Sequence, residues 1–399
     1  LKPGEKIQFS FLDNNSKFHT PDTIPTSAIE DSYSYLELQG NKLEDPSAYF
    51  KSMTNHALDN WSKFINVEFE EMIEPAFGDE TGDWRIGVMK ESSWAEPGSA
   101  AYATPPTTNA NGGNIFLNGS KEKGDPAIAD FNESGKVEPY SYNYSTLIHE
   151  MGHSLGLKHP FEDFEGRTKD QAGHNASVIF EDKYDQLKYS VMSYTNNRDI
   201  DTPSDKYTHT INTITNQTVE PSTPMLYDVL ALQEVYGEAS SSSPDHSEYK
   251  YTESSLPYES IFDTGGNDIL DLSELSDGSE LYLTGKDVSS IGNYFQPQKQ
   301  DGSLGTKQGA VLSIVGSTEI EHVKLPGGKS SVTTGDYSTF IEGKADQEID
   351  IVVNSDQIGI KASGTANDLI TLAQITTKWG SDVKARHTGN DAKGATGLE

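Results

Sequence analysis

At 399 residues with 34% hydrophobic content, the chain can build one large core or two ordinary ones, and two is the expected arrangement. Acidic residues outnumber basic ones 62 to 30, and the resulting formal charge of -32 is spread along the chain, which argues against nucleic acid and anionic membranes as partners. Cys is absent, so disulfide staples, thiolate ligands and cysteine nucleophiles are excluded, and no apolar run approaches the roughly 18 residues of a membrane span. Such acidity fits a saline habitat or carboxylates committed to divalent cations, and bound calcium is one substitute for disulfides in a secreted protein.

The opening LKPGEKIQFSF has no signal-peptide core and no starting Met, so a mature or trimmed form is expected, and both ends are set aside from functional reasoning. From Asp45, an N-cap candidate followed by Pro46, residues Phe50, Met53, Ala57, Trp61 and Phe64 recur at helical spacing and predict an amphipathic core helix. His56 lies inside it with no metal-like spacing to a partner and reads as structural. INVEFEEM and DWRIGVMK read as strands, and GGNIFLNGS as a short strand between glycines and a turn.

A second helix is expected from Tyr142–Ser145 to about Leu157. It carries HEMGHSLGLKHP, His149 to Pro160. His149 and His153 are one turn apart on one face, so both imidazoles can reach one ion, and Glu150 sits beside that ion. His159 is six residues on, about 1.7 helical turns, and cannot share that face unless the helix ends. Gly156 supplies the exit. Zinc held by three neutral imidazoles keeps its full charge and one open position, and lowers the pKa of water there toward neutrality. Glu150 can take that water's proton and later deliver it to a leaving amine, which makes peptide hydrolysis the expected reaction. A bare HExxH arises by chance in about one chain in twenty of this length, but adding Gly156 and His159 lowers that to on the order of one in ten thousand.

A polar loop, FEDFEGRTKDQAGHNAS, then leads to SVMSY, residues 190–194, and to the third helix, TPMLYDVLALQEVYG, with Pro224 near its start and Gly237 past its end. With HExxHxxGxxH followed by SVMSY, the chain resembles the metzincins, with Met192 as the turn methionine beneath the metal. Pro160, Tyr194, the third helix and GGNIFLNGS are similar to the serralysin pattern in particular. The resemblance implies an α+β metzincin catalytic domain, a mixed twisted sheet plus the active-site helix, over residues 1–240. It implies Tyr194 as a labile zinc ligand or oxyanion stabiliser, and Asn114, Ile115, Phe116 and Leu117 as a cleft-rim strand whose edge pairs with an extended peptide. It further implies protein or peptide substrates, a proteinaceous inhibitor as another partner, a monomer without membrane insertion, and a secreted, extracellular location.

Beyond Gly237 the composition turns Ser-rich and polar, then to short β-type runs between Gly, Asp and Asn: YLTG, AVLSIVG, TEIEHVKL, EIDIVV, IGIKAS and LITLAQ. Residues 241–399 are therefore expected to form an all-β domain, a sandwich or a reduced β-roll. Serralysins carry tandem calcium-binding nonapeptides there, and this chain lacks most of them, keeping only DTGGNDILDLS and a faint echo, TANDLITLA. For a smaller calcium site the resemblance pairs Asp263, Gly265, Gly266 and Asp268 with Glu319 and Glu321, an oxygen-rich set suited to calcium. A rival reading is a calcium-dependent surface- or glycan-binding protein whose protease is residual or narrowly specific. The gluzincin alternative, with a downstream glutamate as third ligand, is disfavoured by His159.

Overall fold

The computed structural model describes residues 4, 6–14, 16, 43–74, 82–90, 100–107, 112–119, 131–162, 181, 183–196, 207–240, 246–299, 301–344, 347–354, 357–363, 371–377 and 384–387. Its first layer is a five-stranded sheet, β1 (Lys6–Phe11), β2 (Glu68–Glu71), β3 (Trp84–Met89), β4 (Ala101–Ala103) and β5 (Ile115–Asn118), in the order β2-β1-β3-β5-β4. All neighbours run parallel except β4 against β5. Every residue of β3 and β5 is buried, as parallel strands covered on both faces require.

Helix α1 (Ala48–Phe64) covers this sheet with Phe50, Ala57, Leu58, Trp61 and Phe64. Its N-cap is Ser47, whose Oγ accepts the Phe50 N–H, rather than Asp45, which accepts from the Asn14 backbone and side-chain amides. Helix α2 (Tyr142–Leu155) packs on α1 through Tyr144, whose hydroxyl meets His56 Nδ1 at 2.6 Å and accepts from Asn60 Nδ2 at 2.8 Å. His56 is thus a tie between two helices. Helix α3 (Leu226–Tyr236) holds the end of α2, the Tyr236 hydroxyl donating to Leu155 O at 2.8 Å.

The remaining regular elements are strands. β6 (Tyr207–Asn212) and β7 (Gln217–Thr218) form a hairpin, followed by β8 (Glu248–Lys250), β9 (Tyr258–Ile261), β10 (Ile269–Asp271), β11 (Ser279–Tyr282), β12 (Val288–Lys299) and β13 (Gln308–Ile314). Then come β14 (His322–Lys324), β15 (Ser330–Thr333), β16 (Thr339–Lys344), β17 (Glu348–Val353), β18 (Gln357–Ser363), β19 (Thr371–Thr377) and β20 (Lys384–His387). From β14 onward, successive strands alternate between two sheets, and each pairs in parallel with the strand two places on. The chain therefore winds as a parallel two-sheet roll. Phe340 lies against His322, eighteen residues back, and Asp350 against Ser331, nineteen back, close to two nine-residue half-coils.

The roll is interrupted between β10 and β14 by an antiparallel pair, β12 with β13, and β12 also pairs with β6. A strand that precedes residue 240 therefore joins the nine-stranded sheet of the second half. The hydrophobic core is likewise continuous, running from Phe9, Trp61 and Met151 to Tyr258, Phe295, Val323 and Ile351.

Candidate metal centre

Ser141 caps α2 by accepting the Tyr144 N–H, and the helix ends at Gly156, which adopts φ 109°, ψ 4°. This left-handed conformation is costly for a side chain with Cβ, and it lets the Gly156 and Leu157 N–H groups return to the last-turn carbonyls. His159 is thereby carried back against the helix. His149, His153 and His159 bring one ring nitrogen each to within 4.8 Å of one another.

The second ring nitrogen of each histidine is held elsewhere. His149 Nδ1 meets Val191 O at 2.8 Å, His153 Nδ1 meets Leu157 O at 2.9 Å, and His159 Nδ1 meets Glu162 Oε1 at 2.8 Å. Each acceptor requires a proton on Nδ1, which leaves the Nε2 lone pairs facing inward. His153 Nε2 and His159 Nε2 are 3.1 Å apart, and two lone pairs cannot form a hydrogen bond. That spacing is close to the roughly 3.3 Å edge of a tetrahedron with metal–nitrogen bonds of about 2.0–2.1 Å. Burial and the mutual repulsion of the rings push His149 well below the usual histidine range and His153 down to about 4, so these imidazoles are neutral, as ligation requires. The donor set fits a zinc ion with one position left open.

Glu150 is 6% exposed, and its Oε2 is buried without a hydrogen-bond partner among the described residues. Burial alone pushes the carboxyl up to about 8. Tyr194 is 67% exposed, stacked at 5.5 Å on His149 and 4.7 Å from the His159 ring. Phe161 also stacks on His159, with ring centroids 4.9 Å apart and planes at 9°.

Met192 is 1% exposed and lies under α2, so that a Cβ on Gly152 would stand 2.6 Å from its Sδ. Its turn is tied from both sides. Ser193 Oγ donates to Asp185 Oδ1 at 2.6 Å, while Asp228, on the first turn of α3, accepts from Ser190 Oγ at 2.6 Å, Val191 N at 2.7 Å and Met225 N at 2.9 Å. Burial pushes the Asp228 carboxyl up to about 6 against these hydrogen bonds.

Gly152, Phe161, Glu162 and Asp228 were not singled out by sequence reasoning. The available signals were a glycine inside the histidine motif and an acid in the first turn of a helix, a capping position. Residues 163–180, most of the polar loop that follows Pro160, lie outside the described residues.

One expectation is corrected. Ile115, Phe116 and Leu117 cannot offer an edge to a peptide, because β5 is paired to β3 on one side and β4 on the other. Asn114, just before it, uses Oδ1 to accept the Arg85 N–H. The strand at the end of the sheet is β4, which packs beside α2.

The segments expected to hold calcium do meet. Asp268 N–H donates to Glu321 Oε2 at 2.7 Å, and Glu319 N–H donates to Asp263 O at 3.2 Å. They meet as hydrogen-bonded turns: Asp263 Oδ2 accepts from Ser247 Oγ and the Tyr249 hydroxyl, its Oδ1 from Gly265 N, and Asp268 Oδ1 from Ser247 N. Gly266 completes this turn at φ 101°. Among the described residues, the three histidines are the one convergent group of potential metal ligands.

No family model matches the chain. Among curated proteins it is similar to serralysin of Proteus mirabilis, 27% identical over 274 residues that cover 63% of this chain and 50% of that protein. It is also similar to metallopeptidase AprA of Pseudomonas marginalis, 25% identical over 323 residues covering 70% of this chain and 60% of the relative. Serralysin C of Dickeya chrysanthemi is 28% identical over 252 residues, 59% of this chain and 46% of that protein. The chain thus spans about half to three-fifths of the length of these relatives.

Proposed function

We propose that this chain, a relative of the serralysin-type metalloproteases, is a secreted zinc-dependent endopeptidase acting on protein or peptide substrates. The observation that carries the reading is the convergence of three Nε2 lone pairs whose Nδ1 protons are each committed to an acceptor. Zinc bound there would supply a Lewis acid that polarises the scissile carbonyl and makes water a nucleophile near neutral pH.

The chain's own residues do the remainder. Glu150, with a buried oxygen that no protein group occupies, accepts a proton from the attacking water and returns it to the leaving amine. Tyr194, supported by its ring contacts with His149 and His159, donates a hydrogen bond from its hydroxyl to the oxyanion of the tetrahedral intermediate. Tyr194→Phe is expected to lower kcat about tenfold or more with little change in KM. An effect confined to KM would remove the tyrosine from transition-state stabilisation.

The test of the whole reading is metal content by mass spectrometry together with casein cleavage before and after phenanthroline. One zinc per chain, with cleavage lost on chelation and restored by zinc, supports it. A chain that cleaves equally well without zinc overturns it. Calcium is tested by thermal melting with and without EGTA: a lower midpoint on chelation supports ligation by Asp263, Asp268 and Glu321, and no shift leaves them as turn anchors.

A second reading, a surface- or glycan-binding role, has one observation in its favour. A cleft of about 710 Å³ is lined by Tyr184, Tyr189, Tyr227 and Tyr282 together with Lys188 and Lys307. Lys188 sits over the Tyr189 ring, and burial alone pushes its ammonium down. Retention of the full chain on immobilised glycans in the presence of calcium, lost with EGTA and abolished by Lys188→Met, would support this role, and no retention would remove it.

A further inference from the structure

The structure contains an unbroken hydrogen-bond path from a buried carboxylate to the first histidine. The His149 Nδ1–H donates to Val191 O at 2.8 Å. That carbonyl belongs to the peptide whose N–H is Met192's, and Met192 N donates to Ser190 Oγ at 3.1 Å. Ser190 Oγ in turn donates to Asp228 Oδ1 at 2.6 Å. Each donor passes electron density the same way, so the carboxylate strengthens the hydroxyl as an acceptor, the hydroxyl polarises the peptide, and the peptide oxygen becomes a stronger acceptor for His149.

The two oxygens of Asp228 have separate tasks. Oδ2 takes the Val191 and Met225 N–H groups and fastens the turn to the start of α3, whereas Oδ1 feeds the path through Ser190. Ser190 and Asp228 are 3% and 2% exposed, so water does not short-circuit the path. The Nδ1 groups of His153 and His159 meet the Leu157 carbonyl and the Glu162 carboxylate directly.

We propose that Asp228, acting through Ser190 and the Val191–Met192 peptide, raises the basicity of His149 and so sets the zinc affinity of the site as a positioning residue. The inference rests on the zinc reading above. A hydrogen-bonded group behind a ligating histidine typically changes metal affinity by about 10–100-fold.

Ser190→Ala cuts the path while keeping the Oδ2 anchor, and Asp228→Asn keeps the shape while replacing the carboxylate by a neutral amide. Ser193→Ala is the control, because it removes the other hydroxyl tether of the same turn, to Asp185, without touching the path. Zinc affinity of the purified full chain is read by competition with a chromogenic chelator, alongside the thermal midpoint of each zinc-free protein.

We expect Ser190→Ala and Asp228→Asn to weaken zinc binding about tenfold or more, Ser193→Ala to stay within about threefold of the unaltered chain, and Ser190→Thr, which keeps the hydroxyl, to recover most of the loss. If Ser190→Ala does not fold, Asp228→Asn carries the same comparison. Unchanged affinity in the path variants, or losses that track the thermal midpoint equally in the control, would overturn the inference and leave the zinc reading standing. Failure of the unaltered chain to bind zinc would overturn both.

Discussion

Glu150→Gln is expected to retain zinc at one per chain while losing about 10²–10⁴-fold in kcat on casein. Glutamine has nearly the same shape as glutamate, and the three imidazoles and their Nδ1 acceptors are untouched by the change. What disappears is the proton acceptor, because the neutral amide of glutamine cannot take a proton from water. The change removes no hydrogen bond that Glu150 Oε2 makes among the described residues, so the zinc-free protein should melt close to the parent. A variant that holds zinc and still turns over at the parental rate would strip Glu150 of its role as general base.

Gly278→Ala is expected to produce the largest loss of stability. A Cβ at this position would lie 1.7 Å from Lys329 O and 2.6 Å from Lys329 C. Both are backbone atoms, and Lys329 immediately precedes β15, whose Ser331 registers against Glu280 of β11. No side chain can rotate away to make room, so the two strands must part and their ladder must distort. Overpacking of this kind costs roughly 3 kcal/mol, occasionally more. Thermal melting of the zinc-loaded protein provides the check, and an unchanged midpoint would mean that the roll does not bring these two backbones together.

Local chemistry accounts for what was legible along the chain. The third helix is framed by Pro224 and Gly237 and forms over Leu226–Tyr236, and α2 ends at the glycine that the histidine spacing demanded. β1 and β4 were missed. Lys6–Phe11 lies in a terminal segment with no turn signals to frame it, and Ala101–Ala103 is three residues with no β-branched side chain. β12 escaped because Gly292 and Pro297 interrupt a twelve-residue strand, whose register shifts between Ile291 and Phe295 against β13 and between Gln298 and Lys299 against β6.

By itself the sequence determined the candidate metal centre, because a helix repeats every 3.6 residues and a glycine can leave it in a left-handed turn. Those are properties of the local chain, and they bring His149, His153 and His159 together with little help from elsewhere. Tertiary structure alone decided what stands behind the ligands and which strand of the sheet is interior. Val191 reaches His149 across 42 residues and Asp228 reaches Ser190 across 38, separations at which no periodicity survives. The roll follows the same logic. From β14 to β18 its coils close through backbone hydrogen bonds between strands eighteen or nineteen residues apart, which any side chains of suitable size permit, so the winding persists where the repeat in the sequence has faded.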